Sequence, residues 1–315
     1  MSLEEVVDYM IKHPATLRMG SGKIANRTHS KRADVILAKS IAKSKIHYTG
    51  LMEPVVEQKK TPKILLFDIE TSPMKAYVWK RWKENISLEQ VISDWYCICW
   101  SAKWLFNNET MSDCLTTPEV IKEDDSRIMQ SLHDLIDEAD IVVSMNGNNF
   151  DIPRINSRFI INDLQPTKPF FSVDIYQVVK KQFGFSCNSL NGLARYFGFE
   201  SKLDTNFDLW KRCVEGDPVA LHYMETYNKR DVDLLEEVYL KLLPWIKRHP
   251  NIGNIIGTDK IVCPNCGSEF VTTVDGKFYF TGVGKYQLHQ CSKCGAIFRD
   301  RINLNKRNQV KQMTI

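Results

Sequence analysis

The sequence predicts an α/β protein. Short apolar runs at 63–69, 96–105 and 141–145 have the length of buried strands, and they alternate with stretches whose apolar residues recur every three to four positions. A basic helical segment precedes this body and a cysteine-rich segment follows it. The expected division is a helical domain over 1–50, a linker over 51–62, the α/β body over 63–250, a cysteine-knuckle domain over 258–302 and a basic tail over 303–315.

Taken in order, Ser2 and Glu5 have capping-box spacing ahead of Val6, Val7, Met10 and Ile11, so a first helix is expected to end near Pro14. A short helix around Lys23 to Arg27 follows. A third opens at Ser30 and carries Val35, Ile36, Ala38, Ile41 and Ala42 at helical spacing. Residues 1–50 hold nine Lys or Arg against four Asp or Glu, whereas the whole chain is only +4. Arg18, Lys23, Arg27, Lys31 and Arg32 cluster around the turn of a segment that looks like a helix-turn-helix. Two readings stand for it, a DNA-contacting unit or a solvated basic cap.

The α/β body supplies strands at Lys63–Ile69, Tyr96–Leu105 and Ile141–Met145. Helices are expected at Ser126–Asp140, Asp174–Phe183, Ser189–Phe197 and Val219–Leu243. With 43% hydrophobic and 25% charged residues the composition is that of a globular protein. No apolar run approaches the roughly 18 residues of a membrane span, and the first residues carry acids where a secretory signal carries bases. Nine cysteines, four of them in CxxC pairs, fit a reducing compartment better than a disulfide framework.

Three places in this body carry acids that a core would not accept. Asp68 and Glu70, at i and i+2 on an apolar strand, share one face. Two carboxylates side by side are costly to bury unless a hard cation such as magnesium neutralises them. Asp151 follows a strand and a run of Asn and Gly, where it could serve such a site, cap a helix starting near Pro153, or both. Tyr227 and Asp231 lie one turn apart on a long helix, and Asp233 points elsewhere by the helical repeat.

In this order and roughly eighty residues apart, FDIET, NxxNFDIP and YxxxD resemble the three motifs of the DEDD exonucleases. The tyrosine resembles the DEDDy branch, which includes the proofreading domains of family B DNA polymerases; a DEDDh member would have His where Thr226 stands. The resemblance covers about 63–245 and implies an RNase H-like mixed sheet flanked by helices. It implies 3′-to-5′ hydrolysis of DNA with two Mg²⁺ or Mn²⁺. Asp68, Glu70 and Asp231 would hold one ion, Asp68 would also contact the second, Asp151 would support that ion through water, and Tyr227 would orient the attacking water. Asn146, Asn149 and Phe150 match the family's loop and could meet the terminal nucleotide, with core packing the blander role for Phe150. The polymerase portion of that family has no counterpart here. A structure-specific endonuclease, an RNA exonuclease and a non-catalytic nucleic-acid-binding protein are the alternatives on this fold. Expected partners are single-stranded DNA or 3′ ends and a replication or recombination protein, in DNA replication, repair or recombination. The expected location is the cytoplasm of a bacterial or phage-infected cell.

Cys263, Cys266, Cys291 and Cys294 form CPNCG and CSKCG, the pattern of two knuckles closing a Cys₄ site on one structural Zn²⁺. Phe278, Tyr279, Phe280 and Tyr286 lie between the knuckles, either as the small domain's core or as a surface for stacking bases.

Overall fold

The computed structural model describes residues 1–48, 61–200 and 203–305, with the side chains of 43–48 outside the description. Most of the expected linker and tail therefore lies outside the described residues. The chain divides into two compact units, 1–59 and 60–315.

The first unit contains α1 (Leu3–Lys12), α2 (Ser21–Thr28) and α3 (Arg32–Tyr48). The Ser2–Glu5 capping box forms and satisfies two of the orphan amides at the start of α1. Val6, Val7, Met10, Ile24, Val35, Ala38 and Ala42 make a small core. Ile36, expected on that buried face, is exposed beside Leu37, because the stripe that packs is the 35/38/42 series. His29 takes a left-handed φ of 49° and turns the chain between α2 and α3.

The second unit is built on five strands: β1 (Ile64–Thr71), β4 (Cys97–Trp104), β5 (Met111–Cys114), β6 (Ile141–Ser144) and β7 (Phe171–Asp174). Their order is β5-β4-β1-β6-β7, antiparallel from β5 to β1 and parallel from β1 to β7. Two short strands, β2 (Lys75–Ala76) and β3 (Val91–Ser93), pair in an excursion between β1 and β4.

Strand alternation divides the core. On β1, Leu65, Phe67 and Ile69 face helices α5 (Ser126–Glu138) and α6 (Asp151–Ile161). Ile64 and Leu66 face the opposite layer, which includes α7 (Ile175–Gln182), α8 (Leu190–Phe197) and α10 (Pro218–Leu242). The short α4 (Thr117–Lys122) follows β5, and α9 (Phe207–Val214) packs against α10. Lys103 of β4 pairs with Asp233 at 3.1 Å and Glu236 at 2.8 Å on α10, so Asp233 is committed to the scaffold.

Asp125 frames the other layer. It is wholly buried, and its carboxylate accepts from Arg158 Nε at 2.6 Å and Nη2 at 2.7 Å, Asn162 Nδ2 at 2.9 Å and the Cys97 amide at 2.9 Å. One carboxylate thus ties α6 to β4 and to the start of α5.

At the far end of α10, α11 (Ile252–Ile256) leads to β8 (Val271–Phe280), β9 (Lys285–Cys291) and β10 (Ile297–Arg299), a three-stranded sheet. Asn265 Nδ2 donates to the carbonyls of Leu243 at 2.7 Å and Ile246 at 3.1 Å, which fastens this sheet's knuckle to the chain leaving α10. Of the aromatics with an expected core or stacking role, Tyr279 and Phe280 are exposed and Phe278 and Tyr286 half-buried, so they do not form the interior. Lys285 lies over Phe278, and Arg299 lies over Tyr279 and Tyr286. The sulfurs and Ala296 occupy the interior in their place.

Asp125→Asn leaves the largely buried Arg158 guanidinium without its counter-charge, which costs about 3 kcal/mol. Chemical denaturation should show that loss with an unchanged denaturant slope. A loss below about 0.5 kcal/mol would mean that the ion pair does not hold α6.

Candidate active site

β1 delivers Asp68 and Glu70 on the same face as Leu66, opposite Ser101 and Cys99 of β4. A register shift directly after Glu70, beyond which Thr71 still pairs with Cys97, places an irregularity in the β1–β4 ladder beside both acids. α10 crosses this face and contributes Asp231. One carboxylate oxygen from each of Asp68, Glu70 and Asp231 falls within 4.8 Å of the others.

Asn228, one turn before Asp231 and fully buried, donates from Nδ2 to Asp68 Oδ2 at 2.7 Å. That bond fixes the orientation of the Asp68 carboxylate. Sequence reading missed Asn228; the available signal was a poor helix former in a helix interior, three residues before a candidate ligand.

Asp151 is the first residue of α6, earlier than a helix start near Pro153, and reaches the same strand end from the opposite layer. Its Oδ1 accepts from the Ile69 amide at 3.4 Å, between Asp68 and Glu70 in sequence, and it is not one of the three acids that share a single point. Burial pushes its carboxyl up to about 7, against the Ile69 hydrogen bond and with help from the nearby Asp174. Gly147 makes room for Ser144 at the end of β6: a Cβ there would fall 2.0 Å from Ser144 Oγ, while Asp151 Oδ2 would lie in ordinary contact at 3.5 Å.

Asp174, also unrecognised in the sequence, organises the 145–150 loop. It caps α7 through the Gln177 amide and accepts from the Asn146 amide at 3.0 Å and the Asn148 amide at 3.3 Å. Asn146 has φ 65° and accepts from Asn149 Nδ2 at 3.1 Å. Phe150 is on the surface and not in the core, with Arg154 sandwiched between its ring and that of Trp95 at 4.4 Å from each centroid. Tyr227, largely buried, meets Trp210 edge-on at 6.4 Å.

The four knuckle cysteines form a second cluster. Cys263 and Cys294 sulfurs are 3.6 Å apart, as are those of Cys266 and Cys291. Four sulfurs at about 2.3 Å around a tetrahedral ion stand nearly 4 Å from each other, so the donor set and its spacing fit one closed site. Gly267 and Gly295, at φ 71° and 83°, turn each knuckle so that its amide meets the first cysteine's carbonyl. In the helical unit Arg18, Lys23, Arg27, Lys31 and Arg32 are all exposed.

Residues 106–243 match the model of the RNase_H superfamily. This part of the chain is an RNase H-like domain, and the matched span includes Asp151, Tyr227 and Asp231 while β1 lies outside it. Among solved structures, the family B DNA polymerase from the hyperthermophilic archaeon Pyrobaculum calidifontis aligns with 18% identity and a TM-score of 0.45. The alignment covers 59% of this chain and 25% of that one, so the chain spans about a quarter of the polymerase's length. No curated protein matches the chain in sequence. Among the described residues no helix is long and apolar enough to cross a membrane.

Because its carboxyl is raised to about 7 in the fold and ionises near 3.9 when unfolded, Asp151 penalises the metal-free fold increasingly from pH 4 to pH 7 and constantly above that. With divalent cations withheld, the melting temperature of Asp151→Asn relative to the parent should climb across that window and then level off. A difference independent of pH would contradict the buried environment assigned to Asp151.

Proposed function

We propose that the chain is a metal-dependent 3′-to-5′ exonuclease acting on DNA, with Asp68, Glu70, Asp151, Asp231 and Tyr227 as its catalytic residues. The meeting of Asp68, Glu70 and Asp231 within 4.8 Å carries this reading, because acids so close and partly sheltered invite a divalent cation. Asp68, Glu70 and Asp231 would hold one Mg²⁺ or Mn²⁺, and Asp68 with Asp151 would serve a second. When bound, such a pair supplies an activated water and charge stabilisation on both sides of the phosphorus.

The chain's own groups do the remaining work. Asn228 keeps the Asp68 carboxylate turned toward the shared point. Tyr227, packed on Trp210, positions the attacking water. A phenol that ordinarily ionises near pH 10 is poorly suited to take the proton itself. The Asn146–Phe150 loop, held by Asp174, borders the place of the terminal nucleotide. Direction and DNA preference follow from the likeness of the three motifs to the DEDDy exonucleases and from the exposed bases of the helical unit, which suit a duplex major groove. The Cys₄ cluster would bind one structural Zn²⁺, with no open position for chemistry.

End-labelled single-stranded, duplex, flapped and RNA substrates, incubated with Mg²⁺, Mn²⁺ or chelator and resolved by length, test the proposal. Single-nucleotide shortening from 3′ ends of DNA is expected with metal and not with chelator. Asp68→Asn should abolish it while leaving DNA binding intact, and Tyr227→Phe should lower kcat by about a hundred-fold with KM unchanged. Undiminished cleavage by Asp68→Asn would remove the carboxylates from the chemistry.

A further inference from the structure

The excursion between β1 and β4 is built to display aromatics. Its tip, residues 77–90, carries Trp79 at 94% exposure, Trp82 at 79% and Tyr77 at 73%. A soluble protein rarely leaves such a group in water unless it meets a partner.

The display is structured. Tyr77 and Gln90 pair through a 2.9 Å backbone bond, and the Glu84 carboxylate accepts from the amides of Trp79 at 2.9 Å and Lys80 at 2.7 Å. Ser87 and Gln90 form a capping box, and Lys83 takes a left-handed φ of 54°. Glu84 is thus spent on the backbone, and its carboxyl is held below the usual range by those two amides. Lys80, Arg81 and Lys83 are exposed, and among the described residues no ion pair engages them.

Continuity with the carboxylate site gives the surface its direction. A groove of about 610 Å³ starts at Thr71, the residue after Glu70, and is lined by Trp95, Phe150, Arg154, Phe207 and Trp210. Met74, at the base of the excursion, forms part of its wall. A chain lying in this groove, at the end of β1 that carries Asp68 and Glu70, is bordered by aromatic rings and one guanidinium, and the excursion rises from the same wall with more rings and unpaired cations.

We propose that the 77–90 tip is a stacking platform for unpaired nucleotides of the strand whose end occupies the carboxylate site: Trp79, Trp82 and Tyr77 take base faces, and Lys80, Arg81 and Lys83 take phosphates. This inference rests on the nuclease reading. Every base has a π-face and every nucleotide a negative charge, so interleaved rings and cations fit single-stranded nucleic acid of any sequence. An uncharged protein surface would leave the three cations unused.

The test uses the full chain in a calcium buffer and the anisotropy of labelled oligo-dT of about 4 and about 15 nucleotides, one reaching little beyond the groove and the other long enough for the tip. Trp79→Ala/Trp82→Ala should weaken the longer oligonucleotide about ten-fold or more and leave the shorter unchanged. Lys80→Ala/Arg81→Ala/Lys83→Ala should lower the salt slope for the longer one by roughly 2. Equal weakening at both lengths, or none at either, overturns the proposal; the second result gives the surface to a protein partner. Hydrolysis of the p-nitrophenyl ester of thymidine 5′-monophosphate with Mn²⁺ reads the carboxylates alone. Its absence in the parent chain would count against the exonuclease reading, whereas the length dependence of binding judges the tip.

Discussion

Mutual repulsion among Asp68, Glu70 and Asp231 is the constraint around which the second unit is arranged. Were all three ionised at the separations found, each pair would oppose the fold by roughly 3 kcal/mol at an effective dielectric of about 20. Nearby acids of α10, Asp233 and Glu236, are both paired with Lys103, so their charge is matched within the scaffold. A divalent cation shared by Asp68, Glu70 and Asp231 would relieve their repulsion.

Several features bring these groups to one place at modest cost. The register shift after Glu70 breaks the regularity of the β1–β4 ladder beside the acids. Asn228 turns Asp68 inward, and Asp174 folds the 145–150 loop by accepting two of its amides. Asp125, through Arg158 and Asn162, sets the position of α6 and hence of Asp151 at its start. Asp125 and Asp174 are buried carboxylates whose hydrogen bonds are made within the protein, as burial requires. Their effect on the site is through position and not through contact with a substrate.

Much of this could be read from the residues. Continuous apolar runs gave β1, β4 and β6 within a residue or two, and helical spacing gave α5, α7, α8 and α10. The period of α10 also separated Asp231 from Asp233. Strands β5 and β7 escaped because MSDC and FSVD are short and half exposed, and their apolar pattern is carried by their neighbours in the sheet. Asn228, Asp125 and Asp174 escaped because their roles depend on partners 26 to 160 residues away, a relation that local pattern does not encode. The excursion after β1 has no helical or strand period, and the exposure of its tryptophans depends on surroundings that local pattern does not encode.

Diffraction from crystals soaked in Mn²⁺ and thymidine 5′-monophosphate, recorded at the manganese absorption edge, addresses the central claim most directly. The expected result is anomalous density at the point shared by Asp68, Glu70 and Asp231, lost in Asp231→Asn. Carboxylates bridged by a lysine or by protons, with no manganese among them, would contradict the account.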